Sequence, residues 1–136
     1  MIVVDTNVVL DLLVFDDPAS VPLREALRLK QVTWVATQAM RDELARVLNY
    51  PQIVPRLAYY QLSAEQVLAQ FEALVRYLPI PPKAPVRCTD EDDQQFIDLA
   101  VAQRATLLSK DRAVLACTKR LAALGVTVRT AWPALS

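Results

Sequence analysis

Short apolar runs alternate along the chain with longer segments in which apolar residues recur at helical spacing. The apolar runs predict strands at residues 2–4, 32–36, 78–80, 106–109 and 126–129. The spaced patterns predict helices at residues 8–13, 22–29, 38–49, 63–78, 90–104 and 113–124. Because the strands are nearly continuous apolar runs that alternate with helices, we expect a three-layer α/β/α sandwich with a mainly parallel central sheet.

Capping and turn residues mark the ends of these elements. Thr37 is a suitable N-cap for the third helix, and residues 63–66 form a capping-box pattern at the start of the fourth. Pro51 and Pro55 are expected to end the third helix, and the prolines of residues 79–85 force an extended crossing. The chain has no internal repeat, linker or low-complexity tract, so we expect one domain over residues 1–136.

The composition excludes several classes of enzyme. The chain of 136 residues has no histidine, which excludes Ser-His-Asp and Cys-His nucleophiles, histidine bases and histidine-ligated zinc. Gly125 is the single glycine in the sequence, so no glycine-rich phosphate-binding motif is present. The formal net charge is +0, which excludes a uniformly cationic surface for nucleic acid.

The N-terminal residues carry no basic leader, and Asp5 interrupts the first apolar run. We therefore expect no signal peptide. The longest apolar runs are far shorter than the roughly 20 residues that span a bilayer, so we expect no membrane segment. Cys88 and Cys117 are too few for a disulfide scaffold. These features favour a cytoplasmic protein.

Carboxylates follow two of the predicted strands. Asp5 follows the first strand, and Asp111 follows the strand at residues 106–109. Ligands of open parallel sheets bind beyond the carboxyl ends of the strands, so both side chains are expected at the same edge. Taken singly, each is explained equally well as a turn former or a helix cap.

Helical phase selects two further carboxylates. Asp93 shares the apolar face of its helix with Phe96, whereas Asp92 points elsewhere, and a carboxylate on that face needs a cation or hydrogen bonds. Glu43 lies on the margin of the apolar stripe of its helix, whereas Asp42 lies opposite. The acids around Asp93 otherwise suit a solvated helix N-terminus, and Glu43 alone suits an ordinary boundary position.

Four carboxylates at one edge of the sheet would repel one another and raise one another's pKa values. A hard divalent cation, Mg²⁺ or Mn²⁺, relieves that repulsion and prefers oxygen ligands. The chemistry left open is metal-assisted attack of water on a phosphodiester. Thr6, Asn7 and Ser109 lie beside the strand-end acids, where they either orient ligand waters and phosphate or serve only as turn and cap residues. Basic residues outnumber acidic ones after residue 99, which suits a polyanionic substrate.

Four blocks of sequence, in this order and spacing, resemble the PIN-domain family. The blocks are Val3-Val4-Asp5-Thr6-Asn7-Val8-Val9-Leu10, Glu43-Leu44, Asp90-Glu91-Asp92-Asp93 with Phe96-Ile97, and Leu108-Ser109-Lys110-Asp111. The resemblance is to the bacterial and archaeal branch of VapC-like ribonucleases, which are toxin components of toxin–antitoxin pairs. It implies a Mg²⁺- or Mn²⁺-dependent endoribonuclease. The acids that bind the metal and carry catalysis would be Asp5, Glu43, Asp93 and Asp111. The residues that support them would be Thr6, Asn7 and Ser109.

The same resemblance implies partners. They are an RNA substrate, a cognate antitoxin protein and a second copy of the chain in a homodimer. Tyr59, Tyr60 and Trp132 are candidates for an exposed antitoxin surface, with core packing as the ordinary explanation for each.

The chain departs from the family pattern at three positions. Ala113 stands where many relatives carry a further acid, Lys110 where glycine is frequent, and Glu91 where proline is common. These departures leave open a catalytically weak PIN-like module that binds RNA or a protein. A phosphotransfer fold is a further alternative, although an aspartate-nucleophile phosphatase would carry a second aspartate at the position of Asn7.

Overall fold

A computed structural model describes residues 1–133, and its centre is a five-stranded parallel sheet. The predicted domain of residues 1–136 therefore includes residues 134–136, which lie outside the described residues. The strand order is β3-β2-β1-β4-β5, and every neighbouring pair is parallel. The strands are β1 (Ile2–Val4), β2 (Trp34–Ala36), β3 (Val75–Tyr77), β4 (Thr106–Leu108) and β5 (Val128–Arg129).

Helices cover both faces of this sheet, as the sequence predicts for a three-layer sandwich. Their bounds are α1 (Thr6–Leu13), α2 (Val21–Arg28), α3 (Gln38–Leu48), α4 (Val54–Tyr59), α5 (Ala64–Leu74), α6 (Glu91–Gln103), α7 (Arg112–Leu115) and α8 (Thr118–Ala122), with a 3₁₀ turn at Pro18–Ser20. Helices α1, α3 and α5 contact one another, whereas α6 packs on β1 and β4 and contacts α7. From β1 the sheet extends through β2 to β3 on one side and through β4 to β5 on the other, so the order in which strands are added reverses between β1 and β4 and creates a switch point at their carboxyl ends.

The core consists of the central strands and the apolar faces of the helices. Ile2, Val3 and Leu107 are completely buried, as expected for strands covered on both sides. Trp34 of β2 packs edge-on against Phe71 of α5, with ring centroids 5.2 Å apart. No helix within residues 1–133 has both the length and the apolar character needed to cross a bilayer.

The third strand lies earlier in the chain than predicted. The sequence pattern places it at residues 78–80, but it occupies Val75–Tyr77, and the helix predicted to continue to residue 78 ends at Leu74. The register pairs Trp34 with Val75, and the last ladder bond runs from the Leu78 N–H to the Ala36 carbonyl at 2.8 Å. The prolines that follow cannot donate to a ladder, so the strand forms before them.

Two helical segments also differ from the prediction. Residues 54–59 form the short helix α4, because Pro55 sits in its first turn, where a missing N–H costs nothing. The helix predicted at residues 113–124 is divided into α7 and α8. The Thr118 hydroxyl donates to the Leu115 carbonyl at 2.6 Å, and this local bond competes with continuation of the helix.

Candidate metal centre

Asp5 lies at the switch point, at the end of β1. Its N–H donates to the Leu108 carbonyl of β4 at 2.9 Å, which fixes the backbone beside the neighbouring strand. The side chain is buried, and its Oδ2 accepts a hydrogen bond of 2.6 Å from the Ser109 hydroxyl. Burial raises the pKa of Asp5 and the Asp111 carboxylate raises it further, while the Ser109 hydroxyl opposes the rise.

Ser109 joins the two strand-end carboxylates. Its hydroxyl oxygen accepts a hydrogen bond of 3.1 Å from the Asp111 N–H, and the same hydroxyl donates a hydrogen bond to Asp5. Asp111 also caps α7, because its Oδ1 accepts from the Ala113 N–H at 2.8 Å. The structure therefore brings Asp5, Ser109 and Asp111 together, as the sequence predicts.

Asp93 lies in the first turn of α6 and faces these carboxylates. It is 8% exposed, and its Oδ2 is buried without a hydrogen-bond partner among the described residues. Burial raises the pKa of Asp93 to about 8, and the carboxylates of Asp5, Asp111 and Asp90 contribute further to the rise. A buried charge of this kind is costly without a cation or a donor.

The sequence analysis missed one member of the cluster. Asp90, Asp93 and Asp111 each offer a carboxylate oxygen within 4.8 Å of the other two. Asp90 is the N-cap of α6, with its Oδ1 accepting from the Asp92 N–H at 2.9 Å. Capping uses only one of its oxygens, and its spacing of three residues from Asp93 is the signal that could have revealed it.

Glu43 adjoins this cluster through Thr6. The Thr6 hydroxyl donates to Glu43 Oε2 and so links α3 to the residue that follows Asp5. Burial raises the pKa of Glu43, with further contributions from Asp5 and Asp92, while the bond from Thr6 and the charge of Arg46 lower it. Glu43 is therefore a neighbour of Asp5 but not a member of the tight group of Asp90, Asp93 and Asp111.

Other predicted positions lie at the margin. Asn7 is exposed, and its side chain makes no hydrogen bond within residues 1–133. Asp42 accepts a hydrogen bond of 3.2 Å from Gln38 and does not form the pair with Arg46 that its spacing allows. Lys110 is paired with Asp11, which commits this cation to a neighbouring carboxylate.

The donor set fits a hard divalent cation. The converging side chains are all carboxylates, and one oxygen of Asp93 is buried without a hydrogen-bond partner among the described residues. Burial is the largest cause of the raised pKa values of Asp5 and Asp93, neighbouring carboxylates are a further one, and a cation would offset both. Mg²⁺ and Mn²⁺ favour such oxygen ligands and keep several waters, which suits a half-open cluster.

Comparison with known proteins identifies a family. A PIN-domain family model matches residues 1–113, a span that contains all five acids of the centre and its neighbour: Asp5, Glu43, Asp90, Asp93 and Asp111. No curated protein and no solved structure shows a significant match to the chain. The match selects the PIN-type nuclease fold over the phosphotransfer folds.

Proposed function

The chain belongs to the PIN-domain family, and from that premise we propose that it is a Mg²⁺- or Mn²⁺-dependent endoribonuclease. The observation that carries the proposal is the buried, unpartnered Oδ2 of Asp93 beside two other carboxylates. A side chain placed at such a cost indicates selection for a bound cation.

Each acid has its own part in the proposed centre. Asp90, Asp93 and Asp111, whose carboxylate oxygens lie within 4.8 Å of one another, would hold the ion, and the neighbouring Asp5 would extend the ligand set. Bound there, the ion supplies polarisation of the scissile phosphate and a lowered pKa for the attacking water. The Ser109 hydroxyl donates to the Asp5 side chain and accepts from the Asp111 N–H, and these two bonds fix the positions of both residues.

Glu43 and Thr6 form the outer wall of the proposed centre. The bond from Thr6 holds one oxygen of Glu43, which leaves the other oxygen available to accept a proton from a water of the ion's shell. The raised pKa of Glu43 makes its carboxylate a stronger base than that of an unperturbed glutamate.

The test is cleavage of a mixed-sequence single-stranded RNA by the purified chain in Mn²⁺, Mg²⁺ or EDTA. We expect internal cleavage in either metal and none in EDTA, with activity restored when excess metal is added back. Calorimetry with Mn²⁺ alone measures binding separately from turnover. Cleavage that persists in EDTA would contradict the metal requirement.

A catalytically weak RNA- or protein-binding module is the second candidate, and Ala113 favours it. At this position the chain supplies a backbone N–H that occupies Oδ1 of Asp111, in place of a further carboxylate. This candidate predicts Mn²⁺ binding and RNA binding without cleavage. The cleavage and calorimetry measurements together therefore distinguish the two.

We further propose that the chain is the toxin of a toxin–antitoxin pair that acts on cytoplasmic RNA. An apolar groove of about 550 Å³ supports a protein partner, and its lining includes Leu12, Leu13, Leu27, Tyr60, Leu62 and Leu74. Tyr59 is 81% exposed nearby in α4, whereas Trp132 packs against the core and is left out of this surface.

The test of the toxin role is co-expression with the protein encoded beside this chain. We expect a stable complex, arrest of growth by the chain alone and relief by the neighbour. A homodimer is part of the same proposal, and light scattering of the isolated chain measures it. Growth unaffected by the active nuclease would contradict the toxin role but not the nuclease.

A further inference from the structure

A second, polar groove lies beside the metal centre. It encloses about 500 Å³ between residues 83–89 of the proline-rich crossing and the first two turns of α6. We call it the polar groove and define it by six of its lining residues: Lys83, Arg87, Thr89, Glu91, Gln95 and Asp98. Its volume falls within the roughly 300–1,000 Å³ typical of ligand pockets.

The wall formed by the crossing is fixed by side chains of α6. Asp98 Oδ1 accepts the Ala84 N–H at 2.8 Å, and Gln94 Oε1 accepts the Cys88 N–H at 2.7 Å. The Gln94 amide also donates to the Val86 carbonyl at 2.9 Å. Together with the fixed φ of the prolines, these bonds order the backbone that carries Lys83 and Arg87 before any ligand binds.

The cations of this wall are free to bind an anion. Lys83 and Arg87 are exposed and form no ion pair within residues 1–133, whereas Arg24, Arg41 and Lys110 are each paired with a carboxylate. An unpaired arginine and lysine on a preformed wall suit phosphate oxygens.

A third cation lies close to Arg87. One Arg120 nitrogen is 3.2 Å from the sulfur of Cys117, and the same sulfur is 3.8 Å from the Arg87 carbonyl oxygen. These contacts place α8 and its Arg120 near the backbone of the crossing at Arg87. Glu91 is an opposing exposed charge on the rim of the groove.

The polar groove and the metal centre share one helix. In the first turns of α6, Asp90 and Asp93 face the metal centre, while Glu91 and Gln95 line the groove. The charges of Asp93 and Asp111 both act on Cys88, which lies in the wall of the groove. The groove and the metal centre therefore lie on neighbouring sides of the start of α6, within reach of one extended strand.

We propose that the polar groove binds one nucleotide of single-stranded RNA adjacent to the scissile phosphate, with its phosphate on Lys83 and Arg87. The inference rests on the proposed nuclease function and names the conformation of its substrate. Thr89 and Gln95 supply a hydroxyl and an amide that can bond a base edge. A base can enter the groove only from an unpaired strand, because bases in a duplex stay stacked.

The test is binding of a short, labelled single-stranded RNA, measured by fluorescence anisotropy in an Asp5→Asn background that does not cleave it. We expect Lys83→Gln with Arg87→Gln to weaken binding roughly tenfold near 0.1 M salt. The slope of log affinity against log salt should fall by about 1.4, since each phosphate contact on a single strand contributes about 0.7.

The matched control removes the same two residue types from the opposite edge of the sheet. Lys30 and Arg76 are exposed and line a pocket beside Thr33 and Trp34, at the amino ends of β2 and β3. Lys30→Gln with Arg76→Gln should change affinity by less than about twofold, because this edge lies away from the proposed strand path. If both double variants weakened RNA binding equally, the proposal would be overturned, since the RNA would then be attracted by the overall charge of the protein and not by the groove.

Two single variants test the signs of the charges in the wall. Glu91→Gln should strengthen RNA binding about twofold, because it removes a like charge from the path of the phosphates, and Arg120→Gln should weaken it by a similar factor. A duplex of the same sequence should bind more weakly than the single strand. Weakening by Glu91→Gln, or preference for the duplex, would contradict the proposed nucleotide contact.

Two further measurements distinguish RNA binding in the groove from peptide binding there and from catalysis at the metal centre. If the occupant of the groove is an acidic peptide, polyglutamate competes for it. The proposal would be overturned if Lys83→Gln with Arg87→Gln lost polyglutamate binding but kept RNA binding. Hydrolysis of bis(p-nitrophenyl) phosphate by the wild-type chain in Mn²⁺ tests the nuclease centre alone. An inert centre with intact, groove-dependent RNA binding would reject the nuclease and leave the RNA contact standing.

Discussion

Two aspartates on α6, five residues apart in the sequence, meet opposite environments. Asp98 Oδ1 accepts hydrogen bonds from the Ala84 N–H at 2.8 Å and the Gln94 amide at 2.9 Å, which anchor the crossing to the helix. Asp93 Oδ2 has no partner among the described residues and faces other carboxylates. One side chain stabilises the fold and the other costs stability, which is the expected sign of a residue kept for function.

The largest expected effect is on catalysis. Asp93→Asn should lower Mn²⁺-dependent RNA cleavage at least a hundredfold, because it removes a ligand charge from the centre. Asp98→Asn keeps a carbonyl oxygen for the Ala84 N–H and should leave cleavage within about threefold. Initial rates of cleavage measure both. Similar losses from the two variants would show that the two aspartates do not differ in the way their contacts indicate.

The second effect is on stabilisation by metal. At a free Mn²⁺ concentration one hundred times its dissociation constant, the free energy of unfolding of the wild-type chain should rise by about 2.7 kcal/mol. Urea unfolding with and without Mn²⁺ measures the difference. The gain should persist in Asp98→Asn and be largely lost in Asp93→Asn. A gain of equal size in both variants would place the metal elsewhere.

The third effect is on the fold without metal. Asp98→Ala should lower the free energy of unfolding by about 1–3 kcal/mol, because it leaves the buried Ala84 N–H and the Gln94 amide short of an acceptor. Asp93→Asn in EDTA should raise it, since the variant neither buries a charge nor has to take up a proton on folding. Urea unfolding in EDTA provides both values. Destabilisation by Asp93→Asn would mean that its carboxylate is satisfied in the apo protein.

The smallest effect is a dependence of stability on pH in EDTA. The pKa of Asp93 is about 8 in the folded chain, against 3.8 for the free side chain. Between these values the folded state keeps a proton that the unfolded state has lost, so stability falls as pH rises from about 4 to about 8. Thermal unfolding of Asp93→Asn should show a flatter profile, and an identical profile would remove Asp93 as its source.

The sequence was sufficient to predict the residues whose placement depends on strand ends and helical phase. Asp5 and Asp111 follow buried strands, and Asp93 shares a helix face with Phe96, so local patterns alone bring them to one edge. Asp90 was missed because its capping role already explained it. A carboxylate has two oxygens, and sequence spacing does not show what the second one faces.

The third strand shows where such patterns fail. Apolar character alone favoured residues 78–80, but Val75–Tyr77 pair with β2, and the ladder ends at the Leu78 N–H because Pro79 and Pro81 have no N–H to continue it. The division between α7 and α8 likewise depends on one hydroxyl bond of Thr118. Both outcomes were set by which backbone donors remain available, a property that hydrophobic periodicity does not report.

The Ser109–Asp5 hydrogen bond joins residues that are 104 positions apart. During synthesis, Asp5 leaves the ribosome long before Ser109 is added, so the nascent chain holds its first acid without the strand that orients it. An incomplete product that stops before β4 lacks both the serine and Asp111. The proposed nuclease would thus gain its activity only after β4, Ser109 and Asp111 have been made, so a product that ends before β4 would be inactive.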